Sequence, residues 1–281
     1  SPKQLGVLLF EKLGLPVQKK TKTGYSTDAK VLEALKNEHP VINIILEHRK
    51  LAKLQSTYLE GLRPLVNPKT ARIHTTFQQT VTVTGRLSSV NPNLQNIPTR
   101  TEEGKEIRRI FVPGEGYDYL MSCDYSQVEL RILACIAQDH LLLDSFKNNQ
   151  DVHARTASEV FGVELADVSK AMRSKAKAVN FGIVYGISDF GLAAQLDVSR
   201  KEAQGYIDSY FARYTGVKEY MTSIVEKARA QGYVATMMGR RRYLPDIKHS
   251  NFNLRSFAER TAINTPIQGT AADIMKLAML K

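Results

Sequence analysis

A long region of helical periodicity, from residue 126 to about residue 230, is the feature that most constrains how this chain can fold. Residues 28–62 and 253–281 show the same kind of pattern, in which apolar residues recur on one face of a helix. Residues 71–84 and 107–123 instead carry alternating or short apolar runs rich in β-branched and aromatic residues, which are typical of strands. The sequence therefore predicts an α+β fold, with a few strands and a largely helical remainder.

Two segments combine a local folding signal with basic residues. Residues 28–62 predict an amphipathic helix pair, with apolar positions at Val41, Ile45, Leu51, Leu54, Tyr58 and Leu62 and basic ones at His48, Arg49, Lys50 and Lys53. Such a basic face is either solvated or a clamp on phosphates, and charge alone does not decide between them. Residues 232–247 predict a hairpin around a Gly-Arg turn, where Arg240, Arg241 and Arg242 could hold phosphates.

The excess of basic residues narrows the class of partner. Lys and Arg number 39, whereas Asp and Glu number 28, so the formal net charge is +11. A surplus of this size favours a polyanion, first a nucleic acid and second an acidic membrane surface. No apolar stretch reaches the roughly 18 residues of a membrane span. The first residues also lack the pattern of a signal peptide. We therefore expect a nucleic acid partner and no membrane.

The two cysteines, Cys123 and Cys135, have no metal-ligand spacing. Their scarcity argues for a reducing compartment, and against both a disulfide scaffold and a zinc site. We expect both to be buried as small apolar side chains.

The segment C-D-Y-S-Q-V-E-L-R-I begins at residue 123, directly after the apolar run Y-D-Y-L-M-S, which predicts a buried strand. One interpretation of this segment is structural, because Ser126 and Glu129 have the S-x-x-E spacing of a capping box that opens a helix. The other is chemical, because a carboxylate such as Asp124 at a rigid strand end can hold Mg²⁺, with the carbonyl of Tyr125 as a further oxygen ligand. Spacing alone leaves both interpretations open.

The segment A-M-R-S-K-A-K-A-V-N-F-G-I-V-Y-G, residues 171–186, places Arg173, Lys177 and Phe181 four residues apart on one helix stripe, which Tyr185 continues. Like charges at this spacing repel by roughly 0.2–0.5 kcal/mol in an isolated helix, and a bound anion reverses that cost. A triphosphate fits the spacing, with the aromatic ring one turn further on to pack against a sugar or base. A basic surface face that leads into a buried aromatic residue fits equally well.

A third polar stripe lies in E-R-T-A-I-N-T-P-I-Q-G-T-A-A-D, where Arg260, Asn264 and Gln268 also recur every four residues. Hydrogen-bond donors in this arrangement suit the minor groove of a duplex, whose acceptors hardly distinguish one base pair from another. Pro266 predicts a kink in this helix. A solvated helix face is the alternative interpretation.

Three weaker signals accompany these motifs. Arg86, in T-G-R-L-S-S, can reach a duplex backbone or minor groove, and His153, in D-V-H-A-R-T-A, can contact a phosphate or serve the structure. The tyrosine stripe at Tyr206, Tyr210 and Tyr214 is more typical of core packing than of base stacking.

Taken together, the segments resemble the family A DNA polymerases, of the bacterial DNA polymerase I type. D-Y-S-Q-V-E-L-R at 124–131 resembles that family's motif A, and R-S-K-A-K-A-V-N-F-G-I-V-Y-G at 173–186 resembles its motif B. T-G-R-L-S-S-V-N-P-N-L-Q-N-I-P at 84–98 and the segment 259–273 also match. These long motifs occur in the family's order, and the resemblance covers essentially all 281 residues.

The resemblance implies catalytic roles for three positions. Asp124 and the backbone carbonyl of Tyr125 would hold the two catalytic Mg²⁺ ions. Lys177 would donate a proton to the departing pyrophosphate.

It also implies nucleotide-binding and DNA-binding roles. Glu129 would close against a ribose 2′-hydroxyl, while Phe181 would pack on the incoming dNTP and Tyr185 would lie beside the templating position. The triphosphate would be bound by His153, Arg173 and Lys177. The primer–template minor groove would be held by Arg86, Arg260, Asn264 and Gln268.

The implied architecture is an α+β right-hand polymerase with a small antiparallel palm sheet, a largely helical remainder and an incomplete palm. Residues 1–70 would belong to the thumb, 71–145 to the first part of the palm, 146–248 to the fingers and 249–281 to the start of the second part of the palm. The enzyme would be cytoplasmic and would synthesise DNA on a primer–template, in replication and repair.

The family's third motif, a His-Asp-Glu turn, supplies a second metal-binding carboxylate and has no counterpart in these residues. We therefore expect one Mg²⁺ ligand to be missing and this segment alone to make little or no DNA, unless a second chain or segment supplies the rest of the palm. The first residue is not Met and no Gly or Pro ends the last helical pattern, which suggests a piece of a longer protein. The alternatives are a non-catalytic module that binds duplex DNA and a single-chain RNA polymerase, the latter disfavoured by Glu129.

Overall fold

A computed structural model describes residues 1–22, 24–99 and 101–280 of the chain. The chain forms two compact units. The first consists of Ser1–Phe77 and Ser89–Leu120, and the second of Gln78–Ser88 and Met121–Lys281.

The helices of the first unit are α1 (Pro2–Val7), α2 (Ala29–Ala34), α3 (Pro40–Leu54) and α4 (Glu102–Arg109). Short strands accompany them: β1 (Lys20–Thr21) pairs antiparallel with β2 (Gly24–Tyr25), and β3 (Val66–Asn67) pairs antiparallel with β4 (Arg72–Ile73). Two further strands, β5 (Thr76–Gln78) and β6 (Ser88–Val90), lie where the chain passes from one unit to the other.

The predicted helix pair in residues 28–62 is confirmed. The Asp28 side chain accepts from the amide of Val31 at the start of α2, and Pro40 occupies the first turn of α3, where its missing N–H is harmless. The helix α3 continues as a π-helical segment, Gln55–Glu60. The buried side chains of this region form two small cores, one around Leu9, Phe10, Leu15, Val31, Leu32, Leu35 and Ile42, and one around Tyr58, Leu62 and Ile107.

Two of the predicted strands are wrong. The segment expected to form a strand from Ile107 onward ends α4 instead, because Thr101 caps that helix and basic residues at its end complement its dipole. Residues 117–123 also form no strand, and their side chains are exposed, with Tyr119 at 87% and Met121 at 86%. Within the described residues no other segment pairs with this run, so its backbone gains no ladder hydrogen bonds.

The strand predicted for residues 71–84 is confirmed only in β4 and β5. The β-branched run after β5 forms bends and turns rather than a strand.

The second unit is helical, as predicted for residues 126 to about 230. Its helices are α5 (Val128–Ala137), α6 (His140–Lys147), α7 (Val152–Phe161), α8 (Lys170–Val184), α9 (Asp189–Leu196), α10 (Arg200–Arg213), α11 (Thr215–Gln231) and α12 (Phe252–Met279). They share one core, which includes Leu130, Leu133, Leu142, Val179, Ile183, Leu192, Tyr210, Tyr214 and Ile267. The tyrosine stripe on α10 therefore packs in the core, and Tyr206 is partly buried against it.

The predicted hairpin is also confirmed. Strand β7 (Tyr233–Ala235) pairs antiparallel with β8 (Arg241–Tyr243), and Tyr233 lies opposite Tyr243. The helix α12 runs without interruption through Pro266.

The observed fold is thus α+β, mostly helical with two-stranded antiparallel sheets, and the predicted fold class is confirmed. The expectation that the cysteines are buried is wrong: Cys123 and Cys135 are both exposed, since one precedes α5 in an uncovered segment and the other lies on that helix's outer face. Over residues 1–22, 24–99 and 101–280, no helix has both the length and the apolar character needed to cross a membrane.

Candidate nucleotide-binding and catalytic site

The start of α5 departs from the predicted capping box. The residue before the helix, Gln127, has a left-handed conformation with φ of 55°, and no described side chain caps the first turn. Asp124 lies in the exposed segment before it, and no described residue forms a hydrogen bond or an ion pair with its carboxylate. Its oxygens are therefore open to a ligand from outside the chain.

Glu129 does not cap the helix because its carboxylate is occupied elsewhere. The residue is only 7% exposed, and its two oxygens accept hydrogen bonds from the Arg86 guanidinium and from the Tyr185 hydroxyl, the latter at 3.2 Å. Burial, followed by the nearby carboxylate of Glu129, raises the pKa of Tyr185, while a hydrogen bond with Gln268 acts in the opposite direction. Four candidate residues from separate sequence motifs thus form one polar cluster: Arg86, Glu129, Tyr185 and Gln268.

The backbone beside Arg86 is held by a second ion pair. The Arg240 guanidinium binds Asp273 on α12 and also donates to the carbonyl of Gly269 at 3.1 Å. It occupies the space where a Cβ of Gly85 would stand, and Gly85 has a φ of 77° that suits glycine. Residues 84–86 therefore fit closely over the hairpin turn and α12.

The cationic stripe of α8 is confirmed as a geometric feature. Ser169 caps the helix, and Arg173 donates from Nε to Asp151 Oδ2 at 2.7 Å. Lys177, one turn further on, is exposed and forms no hydrogen bond or ion pair with any described residue. The stripe thus offers one cation with a single partner and one with no partner among the described residues, which suits an anion.

His153 lies beside this stripe and packs near Phe181. Its ring centroid lies 5.9 Å from that of Phe181, and the residue is 2% exposed. Burial lowers its pKa, and the positive charges of Arg173 and Lys177 lower it further, against the opposing effect of Asp151. The imidazole is therefore neutral at physiological pH.

Asp151 contacts both His153 and Arg173. Its Oδ1 accepts from the amides of His153 and Ala154 at the start of α7, and its Oδ2 accepts from Arg173. Burial opposes ionisation of this carboxyl, but the hydrogen bonds from Arg173 and the α7 amides outweigh it and lower its pKa.

The polar stripe of α12 is not the solvated face that was the alternative interpretation. Asn264 donates to the carbonyl of Val184 at 3.2 Å, at the end of α8, and Gln268 reaches Tyr185. Only Arg260 remains exposed, and it donates to the Ser256 hydroxyl at 2.7 Å.

A cavity of about 540 Å³ opens between these helices and α9, lined by Phe181, Gly182, Tyr185, Ile187, Ser188, Gln195 and Arg260. The candidate aromatic residues of α8 therefore face a space large enough for a base or a sugar.

The hairpin arginines differ in their availability. Arg240 is used in the ion pair with Asp273, and Arg242 donates to the Thr265 hydroxyl at 3.1 Å. Arg241 stacks over Tyr233, with its guanidinium carbon 4.9 Å from the ring centroid, and is exposed.

The donor set for a metal is incomplete in the described part of the chain. Among residues 1–22, 24–99 and 101–280 there is no group of three or more His, Cys, Asp or Glu that could hold a metal ion. The open carboxylate of Asp124 and the adjacent carbonyl of Tyr125 are hard oxygen donors of the type that Mg²⁺ takes, so they fit part of its coordination sphere.

Comparison with known proteins decides the family. The model of DNA polymerase family A matches residues 1–281, the whole chain. The chain belongs to DNA polymerase family A.

The relatives of this family A chain are bacterial. It is 60% identical to DNA polymerase I of Caldicellulosiruptor bescii over 281 residues, which is 100% of this chain and 33% of that protein. It is also 60% identical to DNA polymerase I of Geobacillus stearothermophilus over 280 residues, or 32% of that protein. The chain spans about a third of the length of the curated relatives it matches.

A solved structure supports the same assignment. The chain is similar to the POL domain of Pol1 from M. smegmatis in complex with DNA primer-template and dNTP, with a TM-score of 0.92 and 49% identity. The match covers 100% of this chain and 49% of that one.

The family A fold thus gathers two groups of the predicted residues: Glu129 with Arg86, Tyr185 and Gln268, and His153 with Arg173, Lys177 and Phe181. Asp124 and Tyr125 form no hydrogen bond with either group in the described residues. Sequence reasoning missed Asp151, Thr156, Asn180 and Asp273. Asp151 was detectable as an Asp at the start of a helical pattern and Asn180 as a polar residue beside an apolar motif, whereas Thr156 and Asp273 carry no local signal.

Proposed function

We propose that this chain is part of the polymerase domain of an enzyme that copies a DNA template, in replication and repair. The enzyme joins a primer 3′-hydroxyl to the α-phosphorus of a dNTP, and pyrophosphate leaves. The observation that carries the proposal is the cationic stripe of α8, where Lys177 has no partner in the described residues and Arg173 has one, beside the packed rings of His153 and Phe181.

The charges of that stripe suit a triphosphate. Its phosphate oxygens carry negative charge, so they offset the repulsion between Arg173 and Lys177. Arg173 has a planar guanidinium that can bind two phosphate oxygens at once, whereas Lys177 has a compact ammonium that can transfer a proton. We assign to Lys177 the proton that the departing pyrophosphate oxygen receives, and to Phe181 the packing against the nucleotide.

Glu129 is proposed as the group that excludes a ribose. Its carboxylate is buried and held from two sides by Arg86 and Tyr185, so it cannot swing aside without losing both hydrogen bonds. A 2′-hydroxyl placed against it would meet both its bulk and its fixed orientation. Tyr185 is assigned to the edge of the templating position.

We propose that Asp124 and the carbonyl of Tyr125 hold Mg²⁺. The bound ions would activate the primer hydroxyl and neutralise charge on the pyrophosphate. Because the described residues contain no group of three or more His, Cys, Asp or Glu that could hold a metal ion, we place the remaining ligands on a further segment or a second chain that completes the palm. On this proposal residues 1–281 alone make little or no DNA.

The DNA partner is proposed from the polar stripe of α12 and from the net charge of +11. Arg260, Gln268 and Arg86 would donate to the minor groove of the primer–template, with Asn264 ordering the end of α8 behind them. The division into thumb (1–70), palm (71–145 and 249–281) and fingers (146–248) stays a prediction, as does a cytoplasmic location.

The metal role is tested by Asp124→Ala in the intact protein. We expect primer extension to be lost and duplex DNA binding to be retained, because the variant removes a metal ligand but no cation. Asp118→Ala is the matched control, since Asp118 is an exposed acid just before the same motif. Near-normal extension by Asp124→Ala, or an equal loss in the control, would refute the assignment.

A second candidate function is a non-catalytic module that grips duplex DNA. The observation that favours it is that the described residues hold no group of three or more His, Cys, Asp or Glu able to bind a metal ion, so the cationic groups stand beside an incomplete metal site. Salt-dependent duplex binding by the intact protein, without dNTP binding or extension under any metal condition, would support this candidate over the enzyme.

A further inference from the structure

We propose that Asn180 is a positioning residue that holds His153 in one tautomer, with the proton on Nε2 and none on Nδ1. The Nε2–H group then serves as a hydrogen-bond donor to an anion bound at Arg173 and Lys177. The identity of that anion, a nucleoside triphosphate, rests on the proposed function.

The observation is a buried polar chain across α7, α8 and the end of α10. Thr156 and Asn180 are fully buried, and Tyr214 is 1% exposed. The Tyr214 hydroxyl lies 3.3 Å from Thr156 Oγ1, which lies 3.2 Å from Asn180 Oδ1. The Asn180 amide nitrogen in turn lies 3.1 Å from His153 Nδ1. No metal-binding candidate belongs to this chain of contacts.

The direction of the hydrogen bond to His153 follows from the amide group that faces it, and the buried end of these contacts is satisfied as well. Burial raises the pKa of Tyr214, so its hydroxyl keeps its proton and must donate it. In the described part of the chain, Thr156 Oγ1 is the only acceptor within hydrogen-bond distance of that hydroxyl. Thr156 Oγ1 lies within hydrogen-bond distance of both ends of the Asn180 amide, 3.2 Å from Oδ1 and 3.1 Å from Nδ2. The amide group that faces His153 is Nδ2, which can only donate, so His153 Nδ1 accepts and carries no proton.

The other end of the chain is open. His153 Nε2 makes no hydrogen bond to any described residue. It is nevertheless not one of the fully buried polar atoms without a partner, which in the described residues are Tyr210 Oη and Asp273 Oδ2. Nε2 therefore retains access to solvent although the residue as a whole is 2% exposed. Of the two ring nitrogens, Nε2 is therefore the one left for an incoming ligand, because Nδ1 is engaged by Asn180.

The tautomer matters because the imidazole is neutral. Asp151, Arg173 and Lys177 are the charged groups that act on it, and the two cations together with burial lower its pKa. A neutral ring has one N–H, and phosphate oxygens only accept hydrogen bonds. If Nδ1 carried the proton, Nε2 would present a lone pair to the phosphate and repel it. Asn180 therefore decides whether His153 attracts or repels the anion.

The tautomer can be observed directly by ¹⁵N NMR of the intact protein with ¹⁵N-labelled histidine and no nucleotide. The chain has 6 histidines, and His153→Gln assigns the signal of interest. We expect Nδ1 of neutral His153 to resonate as a nitrogen without a proton, and Nε2 as one with a proton. The reverse pattern overturns the proposal.

Asn180→Asp is the decisive variant, because it keeps the shape but replaces a donor by a carboxylate. We expect the pKa of His153 to rise and the neutral ring to carry its proton on Nδ1, donated to the introduced carboxylate. Asn180→Leu, which offers neither group, serves if the Asp variant does not fold, and should give a mixture of tautomers. Tyr210→Phe is the matched control, because the Tyr210 hydroxyl is buried on α10, one turn before Tyr214, but makes no hydrogen bond to a described residue, and its removal should leave the His153 tautomer unchanged.

Equilibrium binding of a dNTP between about pH 6 and pH 9 then separates positioning from structural support. Wild type should show a much flatter pH profile than Asn180→Asp, since its Nε2–H persists in both charge states. Asn180→Asp should bind normally at low pH and lose about tenfold in affinity as the pH rises through the raised pKa, because only the imidazolium keeps Nε2–H. An unchanged tautomer or a flat profile in this variant overturns the proposal. Failure of wild type to bind dNTP would instead refute the proposed function, and the NMR result on nucleotide-free protein stands apart from it.

Discussion

Gly85 lies where a methyl group would displace the guanidinium of Arg240. Gly85→Ala is therefore expected to act in two ways. It places an alanine at a φ of 77°, and it forces Arg240 away from Asp273 and from the carbonyl of Gly269. The side chain of Asp273 is 13% exposed and that of Arg240 is 33% exposed, so the broken ion pair is one that water does not readily replace.

The two effects can be given magnitudes. A left-handed conformation costs a non-glycine residue about 1–2 kcal/mol. Loss of one partner from a fully buried ion pair costs roughly 3–5 kcal/mol, and the partial exposure of Arg240 reduces this to about 2–3 kcal/mol. We expect Gly85→Ala to lower the free energy of unfolding by about 3–5 kcal/mol in all.

Gly239→Ala is the matched control, because Gly239 has a φ of 84° and open space around its Cα. It should cost only the backbone contribution, about 1–2 kcal/mol, in urea denaturation at equilibrium. In an Arg240→Ala background the destabilisation caused by Gly85→Ala should fall to that same value, since no guanidinium remains to be displaced. Equal effects of the two glycine variants, or strict additivity with Arg240→Ala, would refute the reasoning.

Three further outcomes follow from the site. Glu129→Ala should reduce discrimination against ribonucleotides on the order of tenfold in single-nucleotide incorporation, whereas Glu129→Gln, which keeps the bulk, should retain most of it. Asp151→Asn keeps the helix cap but loses the charge that binds Arg173, and should lower stability by about 0.5–1 kcal/mol, since the pair is half exposed. Because the pKa of Asp151 is lowered in the folded state, the stability difference between wild type and Asp151→Asn should be fully present above the ordinary pKa of 3.8 and should vanish as the pH falls through the folded-state pKa. Unfolding midpoints measured over a series of acidic pH values test this. Tyr220→Phe removes a buried hydroxyl that donates to the carbonyl of Ile263 at 3.0 Å, and should cost about 1 kcal/mol in urea denaturation.

Local patterns in the sequence predicted the helical part of this chain well. The stripe of Arg173, Lys177 and Phe181 requires only that residues 170–184 form a helix, and hydrogen bonds between residues four apart make that a local matter. The hairpin at 233–243 is likewise formed by neighbours in the chain, so its turn was visible in the residues themselves. The family assignment followed from such segments in their order.

Strands and caps were predicted less well, because remote residues decide them. The apolar run at 117–123 has strand-like residues, but no strand pairs with it in the described residues, and a strand without a ladder gains little. Ser126 and Glu129 have the spacing of a capping box, but the carboxylate instead binds Arg86, which is 43 residues earlier in the chain, and Tyr185, which is 56 residues later. Two hydrogen bonds in a buried site outweigh one cap at an exposed helix end.

The sequence by itself thus determined the helices, the hairpin, the family and the identity of most candidate residues, because each depends on side chains close together in the chain. Only the tertiary structure decided which of them act together. It set Asn180 against His153, 27 residues away, and Arg240 against Asp273, 33 residues away. Hydrogen bonds and ion pairs act over a few ångströms, and packing of the helices determines which distant groups come within that range.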